Sequence, residues 1–114
     1  MPQREIAIQP EDLDRLFLER ANTGDVEGVV ALYEPNAVLA FPEGQVTVGR
    51  ENIRRVYEQS IAAGQKFQGI VLKALVKGDI AMTSTALPGN ATVEIARRQS
   101  DGSWLWAIDN PSVI

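Results

Sequence analysis

"VEIARRQSDGSWLWAIDNP", residues 93–111, holds two apolar runs on either side of Asp101-Gly102. An Asp-Gly pair between such runs is a strong short-range signal for a β-hairpin. A two-residue turn pairs Ser100 with Ser103 and, counted back, sets Glu94 opposite Asp109; a four-residue turn sets Glu94 opposite Ala107. Parity is the same in both registers. Thr92, Glu94, Ala96, Leu105, Ala107 and Asp109 therefore share one face, and Val93, Ile95, Trp104, Trp106 and Ile108 the other. Small residues and two acids leave room on the first face, whereas Trp and β-branched residues fill space on the second. The expectation is that the roomy face lines a cavity and the Trp face packs against a partner sheet. The reverse arrangement puts the Trp residues over the helices and both carboxylates in solvent. Asp109 itself, just before Asn110-Pro111, reads either as a turn initiator or as a carboxylate at a pocket mouth.

Working back from this hairpin, "KFQGIVLKALVKG", "IAMTSTAL" and "ATVEIARR" read as further strands, separated by Gly78-Asp79 and Pro88-Gly89-Asn90. Consecutive strands with tight connections predict an antiparallel meander. Upstream, Pro10, Glu11 and Asp12 suit a helix start, and Leu13, Leu16, Phe17 and Ala21 recur at helical spacing, so a first helix spans about 10–22. Gly24 breaks it, and Asp25 caps a short second helix carrying Val26, Val29, Val30 and Tyr33, ended by Pro35. "AVLAF" and "QVTVG" are short strands around Pro42-Glu43-Gly44. A third helix follows Gly49, with Ile53, Val56, Tyr57 and Ile61 as its stripe and Gly64 as its stop. Helices first and a long sheet afterward predict an α+β fold, one domain over residues 1–114, with the sheet curled over the helices.

Composition narrows the chemistry. The 114 residues include no cysteine and no histidine, which excludes thiol nucleophiles, zinc-thiolate sites, imidazole bases and triads. Acid–base work falls to carboxylates, tyrosine, lysine or water. The net charge of −4, with basic pairs only at Arg54-Arg55 and Arg97-Arg98, disfavours nucleic acid as a partner. No segment approaches the roughly 20 apolar residues of a membrane span, and the N-terminus has no secretory pattern. A soluble, cytoplasmic protein with no cofactor and no metal is expected; no oxygen-ligand cluster of the usual spacing is present.

"GDVEGVVALYEPNAVLAFPEG" (24–44), "VGRENI" (48–53) opening a helix, and the closing run 93–111 together resemble the nuclear transport factor 2-like superfamily. More narrowly, the chain resembles the SnoaL-like and ketosteroid-isomerase-like proteins. The resemblance covers almost the whole chain in order. It implies a cone-shaped barrel: three helices wrapped by a strongly bent, mostly antiparallel sheet, an apolar pocket at the open end, and often a dimer through the outer sheet face. It also implies that an acidic residue late in the last strand, here Asp109, faces the pocket. The specific activities of the family do not carry over. The first helix offers Phe17 where a ketosteroid isomerase has a tyrosine, the middle strand lacks the Arg-x-Asp of limonene epoxide hydrolase, and the histidines of scytalone dehydratase are absent.

Glu94 and Asp109, if opposed across the hairpin, lie about 5 Å apart. At an effective dielectric near 20 their repulsion is roughly 3 kcal/mol, or about two pKa units. One acid then stays protonated near neutrality while the other ionises. Such a pair suits isomerisation or cyclisation beside a carbonyl, with Asp109 moving the proton, Glu94 tuning it, and Tyr33 or a backbone amide stabilising an oxyanion. Phe17, Phe41, Tyr57, Met82 and Ala107 are candidate pocket wall around a small apolar, oxygen-bearing molecule. A dimeric module that binds such a ligand without changing it is the other reading. A homodimer is expected in both, because the last strand is apolar on both faces.

Overall fold

The structure, a computed structural model, describes residues 3–114. Helix α1 (Asp12–Asn22) starts where Asp12 Oδ2 accepts hydrogen bonds from the backbone of Ile8 and Gln9. Its Leu13, Leu16 and Ala21 are buried. Asp25 caps α2 (Val26–Val30), its side chain accepting from the Gly28 amide at 3.0 Å. Gly28 admits nothing larger: a Cβ there would sit 2.8 Å from the Cδ of Arg20 and closer still to the Asp25 carboxylate. The buried Arg20 guanidinium donates to the Gly28 carbonyl at 2.9 Å and to that of Glu5, tying α1 to α2 and to the incoming chain.

Tyr33 does not belong to the second helix. The chain leaves α2 at Val30, and the Trp106 amide bonds the Leu32 carbonyl at 2.8 Å, so Tyr33 opens strand β1 (Tyr33–Leu39) instead. Pro35 lies inside this strand, where its missing N–H would break a regular ladder. The ladder steps around it: Tyr33 pairs with Trp106 and Val38 with Ile108, with the register shifting between. Strand β2 (Thr47–Val48) pairs back on β1, and α3 (Arg50–Ala62) follows Gly49 and buries Ile53 and Tyr57.

The remaining strands are β3 (Ile70–Val71), β4 (Leu75–Lys77), β5 (Ile80–Thr83), β6 (Thr85–Leu87), β7 (Asn90–Ala91), β8 (Val93–Arg98) and β9 (Trp104–Asn110). Six of the nine form one sheet in the order β2-β1-β9-β8-β5-β4, and β3-β6-β7 form a smaller one. Only Ser84 separates β5 from β6, so one run of chain bends out of the large sheet into the small one. The result is the expected α+β architecture: three helices inside a strongly curved, open, cone-like sheet. It is not a pure meander, because β9 pairs antiparallel with β8 but parallel with β1. A parallel pair needs a long crossover, and everything from β2 to β8 supplies it.

The hairpin of β8 and β9 departs from strict alternation. Glu94 pairs with Asp109 and Ile95 with Ile108, but Ala96 pairs with Trp106. Ala107 is therefore an extra residue, a β-bulge that reverses the in/out phase of β9. Trp104 and Trp106 point inward before it, Asp109 points inward after it, and Ile108 is half exposed on the outside. The two-face reading of the sequence is thus corrected for the tryptophans: they share the inner face with Glu94 and Asp109. The core beneath is built from Leu13, Leu16, Val29, Tyr33, Leu39, Ile53 and the two tryptophans.

Deleting Ala107 restores plain alternation and forces either both tryptophans or Asp109 outward. Urea denaturation is expected to show a loss of about 3 kcal/mol or more, the scale of losing a buried Trp side chain; an unchanged midpoint would mean the bulge does not set the phase.

Candidate active site

A cavity of about 730 Å³ opens between α1, α3 and the concave face of the sheet. Its wall is aromatic. Phe17 from α1 packs edge-on against Tyr57 from α3 at 5.5 Å and against Phe67 at 5.2 Å, and tilts over Trp106 at 6.0 Å. Phe41 stacks on Tyr57 at 6.2 Å. Among these rings the cavity also exposes three acids, Asp14, Glu94 and Asp109, each no more than 5% accessible.

Two chains of hydroxyl groups hold the acids on the sheet. The Tyr33 hydroxyl donates to Asp109 Oδ2 and lies 3.1 Å from the Tyr57 hydroxyl. With its one proton committed to Asp109, Tyr33 must accept from Tyr57, which fixes the direction Tyr57 to Tyr33 to Asp109. On β5 and β8, Trp106 Nε1 donates to Thr83 Oγ1 at 3.1 Å, and Thr83 donates to Glu94 Oε1 at 2.6 Å. Each carboxyl thus has one oxygen saturated by a buried hydroxyl, and the other is where its proton can sit. Asp14, on α1, meets the Glu94 carboxyl and the hydroxyls of Thr85 and Thr83, which favour its charged form, while its Oδ2 is buried with no hydrogen-bond partner.

Burial dominates the acidities. Loss of solvent pushes the Asp109 carboxyl up to about 8, the charge of Glu94 opposite adds to this, and the Tyr33 hydrogen bond offsets part of it. Glu94 and Asp14 are both raised, again first by burial, and the two side chains hydrogen-bond each other. The phenols of Tyr33 and Tyr57 are pushed well above their ordinary range by burial and by Asp109. All three acids are held above the ordinary carboxylate range by the same poorly solvated space.

The structure gathers Asp109, Glu94, Phe17, Phe41 and Tyr57 around one cavity. Tyr33 is fully buried behind Asp109 and does not line the cavity, so it positions the acid and offers no hydroxyl to a ligand. Met82 is on the other side of the sheet: β5 alternates, Ala81 and Thr83 face inward, and Met82 is 43% exposed. Ala107 is the bulge residue and also lies off the cavity wall. Asp14 and Thr83 are the residues that sequence reasoning missed. Asp14 falls at i, i+3 and i+7 with Phe17 and Ala21, on the edge of the apolar stripe, and that spacing was the available signal. Among the described residues no group of three His, Cys, Asp or Glu side chains is placed to hold a metal ion. Among the described residues no helix is long and apolar enough to cross a membrane.

The SnoaL-like domain family matches residues 15–109 of the chain. No curated protein matches it in sequence. Among solved structures, a ketosteroid isomerase-like protein from Erwinia carotovora atroseptica superposes with a TM-score of 0.74 at 20% identity, covering 91% of this chain and 93% of that one. A candidate dehydratase of the NTF2-like family from Streptomyces avermitilis gives 0.73 at 18% identity, covering 93% and 95%. An NTF2-like protein with a cystatin-like fold from Novosphingobium aromaticivorans gives 0.70 at 19%, covering 88% and 76%. At these identities the likeness speaks for the fold alone.

The raised acidity of Asp109 has a signed consequence for stability. Its ordinary value is 3.8 and its folded value about 8, so the folded state holds a proton that the unfolded state releases. The contribution is fully present below pH 4 and is lost as pH rises toward 8. The wild type should lose several kcal/mol across that window in denaturant titrations. D109N, which keeps the acceptor for Tyr33 without an ionisable proton, should be the more stable protein at pH 8 and show a flatter profile. Equal slopes for the two proteins would place the Asp109 transition elsewhere.

Proposed function

Since the chain belongs to the SnoaL-like domain family, we propose that it is an acid–base enzyme acting on a neutral, apolar, oxygen-bearing small molecule, by isomerisation, cyclisation or a related elimination beside a carbonyl. The observation that carries this reading is the pair Glu94 and Asp109, opposed across β8 and β9, buried, and each tied by one oxygen to a hydroxyl chain beneath an aromatic cavity. A neutral carboxylic acid in an apolar site is a strong hydrogen-bond donor to an oxygen that gains charge during reaction. Asp109, fixed through Oδ2, presents its other oxygen for that purpose, and Glu94 discourages its ionisation. The aromatic wall favours flat apolar ligands, and two uncharged acids favour a ketone or enone oxygen over a carboxylate.

A carboxyl-carbon NMR titration, assigned with D109N and E94Q, tests the acid pair directly. At least one of the two should titrate above pH 6, and affinity for the neutral ketone 2-tetralone should fall as pH rises past 8 and the donors ionise. Two carboxyls titrating near 4, with affinity independent of pH, would leave a ligand-binding module and sink the catalytic reading.

The outer face of the sheet supports a homodimer. One register row crosses all six strands: Leu75, Met82, Ile95, Ile108, Val38 and Val48. Four of these are exposed apolar side chains. The arginines nearby are paired within the chain, Arg97 with Glu34 at 2.9 Å and Arg98 with Asp79, and Lys77 stands at the β4 end of the row. A largely apolar strip suits a second copy of itself across a two-fold axis. Light scattering should give a dimer at micromolar concentration for the wild type and a monomer for I108K; a monomeric wild type would refute the assignment.

A further inference from the structure

One stretch of the cavity wall has no regular structure. Residues 65–69 run from the end of α3 to β3, and four in succession, Gln65, Lys66, Phe67 and Gln68, line the cavity. The stretch is exposed except at Phe67, whose ring packs edge-on against Phe17 at 5.2 Å and against Tyr57 at 6.4 Å. Both ends are fixed. Gly64, at φ +82°, lets the Gln65 amide turn back onto the Ser60 carbonyl at 3.1 Å. Gly69 lies flat on β6: a Cβ there would collide with the Thr85 side chain and stand 2.9 Å from Leu87 Cδ2 and 3.0 Å from the Ala86 carbonyl oxygen. A single side chain fastens the middle. Asn22, the last residue of α1, donates through Nδ2 to the Phe67 carbonyl at 2.7 Å and accepts the Phe67 amide on Oδ1 at 2.9 Å.

A primary amide offers a donor and an acceptor side by side, so Asn22 gives Phe67 the pair of bonds that a neighbouring β-strand would. Helix α1 thereby grips one residue twice, its backbone by Asn22 and its ring by Phe17. We propose that Asn22 is a positioning residue of the cavity, the latch of an entrance formed by residues 65–68 that opens by swinging Phe67 out of the aromatic wall between Gly64 and Gly69. Both latch bonds are exposed, so water replaces them at little net cost. The Phe67 ring favours reclosure, because its apolar surface is covered only when seated. A weak polar latch over an apolar plug lets a segment open while the domain stays folded. An entrance of this kind serves a catalyst and a carrier alike.

The test needs no ligand. The chain has no cysteine, so one engineered thiol reports access without background. Thr85 on β6 lines the cavity and is 5% exposed, and T85C puts the thiol behind the entrance. Labelling by pyrene maleimide, a flat apolar reagent, should be slow in T85C and about 10-fold or more faster in T85C/N22A, with no acceleration by low urea. N22D, which keeps the acceptor and loses the donor, should fall between. Equal rates in folded T85C and T85C/N22A would refute the latch. Should the double variant fail to fold, hydrogen exchange on the wild type decides. The Phe67 amide should exchange through an opening insensitive to low urea, whereas the Trp106 amide, bonded to the Leu32 carbonyl, should exchange only with global unfolding. Phe67 exchanging in step with Trp106 means the segment moves only when the domain unfolds, and overturns the proposal. None of these readouts involves Glu94 or Asp109, so the acid–base reading stands or falls separately.

Discussion

One extra residue in the last strand governs the interior. A β-strand alternates its side chains with a period of two, and nothing in that rule lets Trp104, Trp106 and Asp109 face the same way. The bulge at Ala107 resolves the conflict by spending a residue without advancing the ladder. Everything the cavity contains depends on this. Trp106 supplies the packed floor against Phe17 and Tyr33, and the same strand then delivers a carboxyl to that floor. Without the phase change the strand could furnish the hydrophobic base or the acid, but not both.

The acids so placed are held at a cost that the rest of the structure absorbs. Three carboxyls occupy one poorly solvated space that raises all of them above the ordinary range, and the fold gives Asp109 and Glu94 each a buried hydroxyl donor. Those donors are themselves satisfied, by Tyr57 on one side and the Trp106 indole on the other. Fully connected networks of this kind fix side-chain orientation, whereas a half-satisfied member is a point of stored free energy. Asp14 meets Glu94 and the hydroxyls of Thr85 and Thr83 and keeps one oxygen, Oδ2, without a partner. Its position on a helix that also carries the aromatic wall means that whatever fills the cavity meets wall and carboxylate together.

Much of this was legible in residues and spacing, and what was not has physical reasons. Asp101-Gly102 disclosed the hairpin, and counting from it set Glu94 opposite Asp109, as the register has it. The faces went wrong because a bulge at alanine has no marker; only a glycine in the left-handed region would have announced one. Tyr33 was drawn into the second helix because Val26, Val29, Val30 and Tyr33 keep helical spacing across the point where the backbone bond from Trp106 to Leu32 pulls the chain into the sheet. Asp14 was overlooked because an acid in a first helical turn already has an explanation in the helix dipole. Met82 was placed on the wall by residue type, and its true side follows from the parity of a strand whose neighbours Ala81 and Thr83 are small enough to disguise which face is inner.

The chain of hydroxyls from Tyr57 to Tyr33 to Asp109 ends in two different places. At one end it is a cavity wall, since the Tyr57 ring stacks with Phe41 and meets Phe17. At the other it sets the affinity of a carboxyl for its proton. A molecule resting against the ring of Tyr57 therefore perturbs the first member of a series whose last member holds the titrating group. By linkage the converse holds with the same free energy: the protonation state of Asp109 alters how readily that wall is occupied. Occupancy and proton inventory are thus two readings of a single equilibrium, and a pH meter can in principle register ligand uptake.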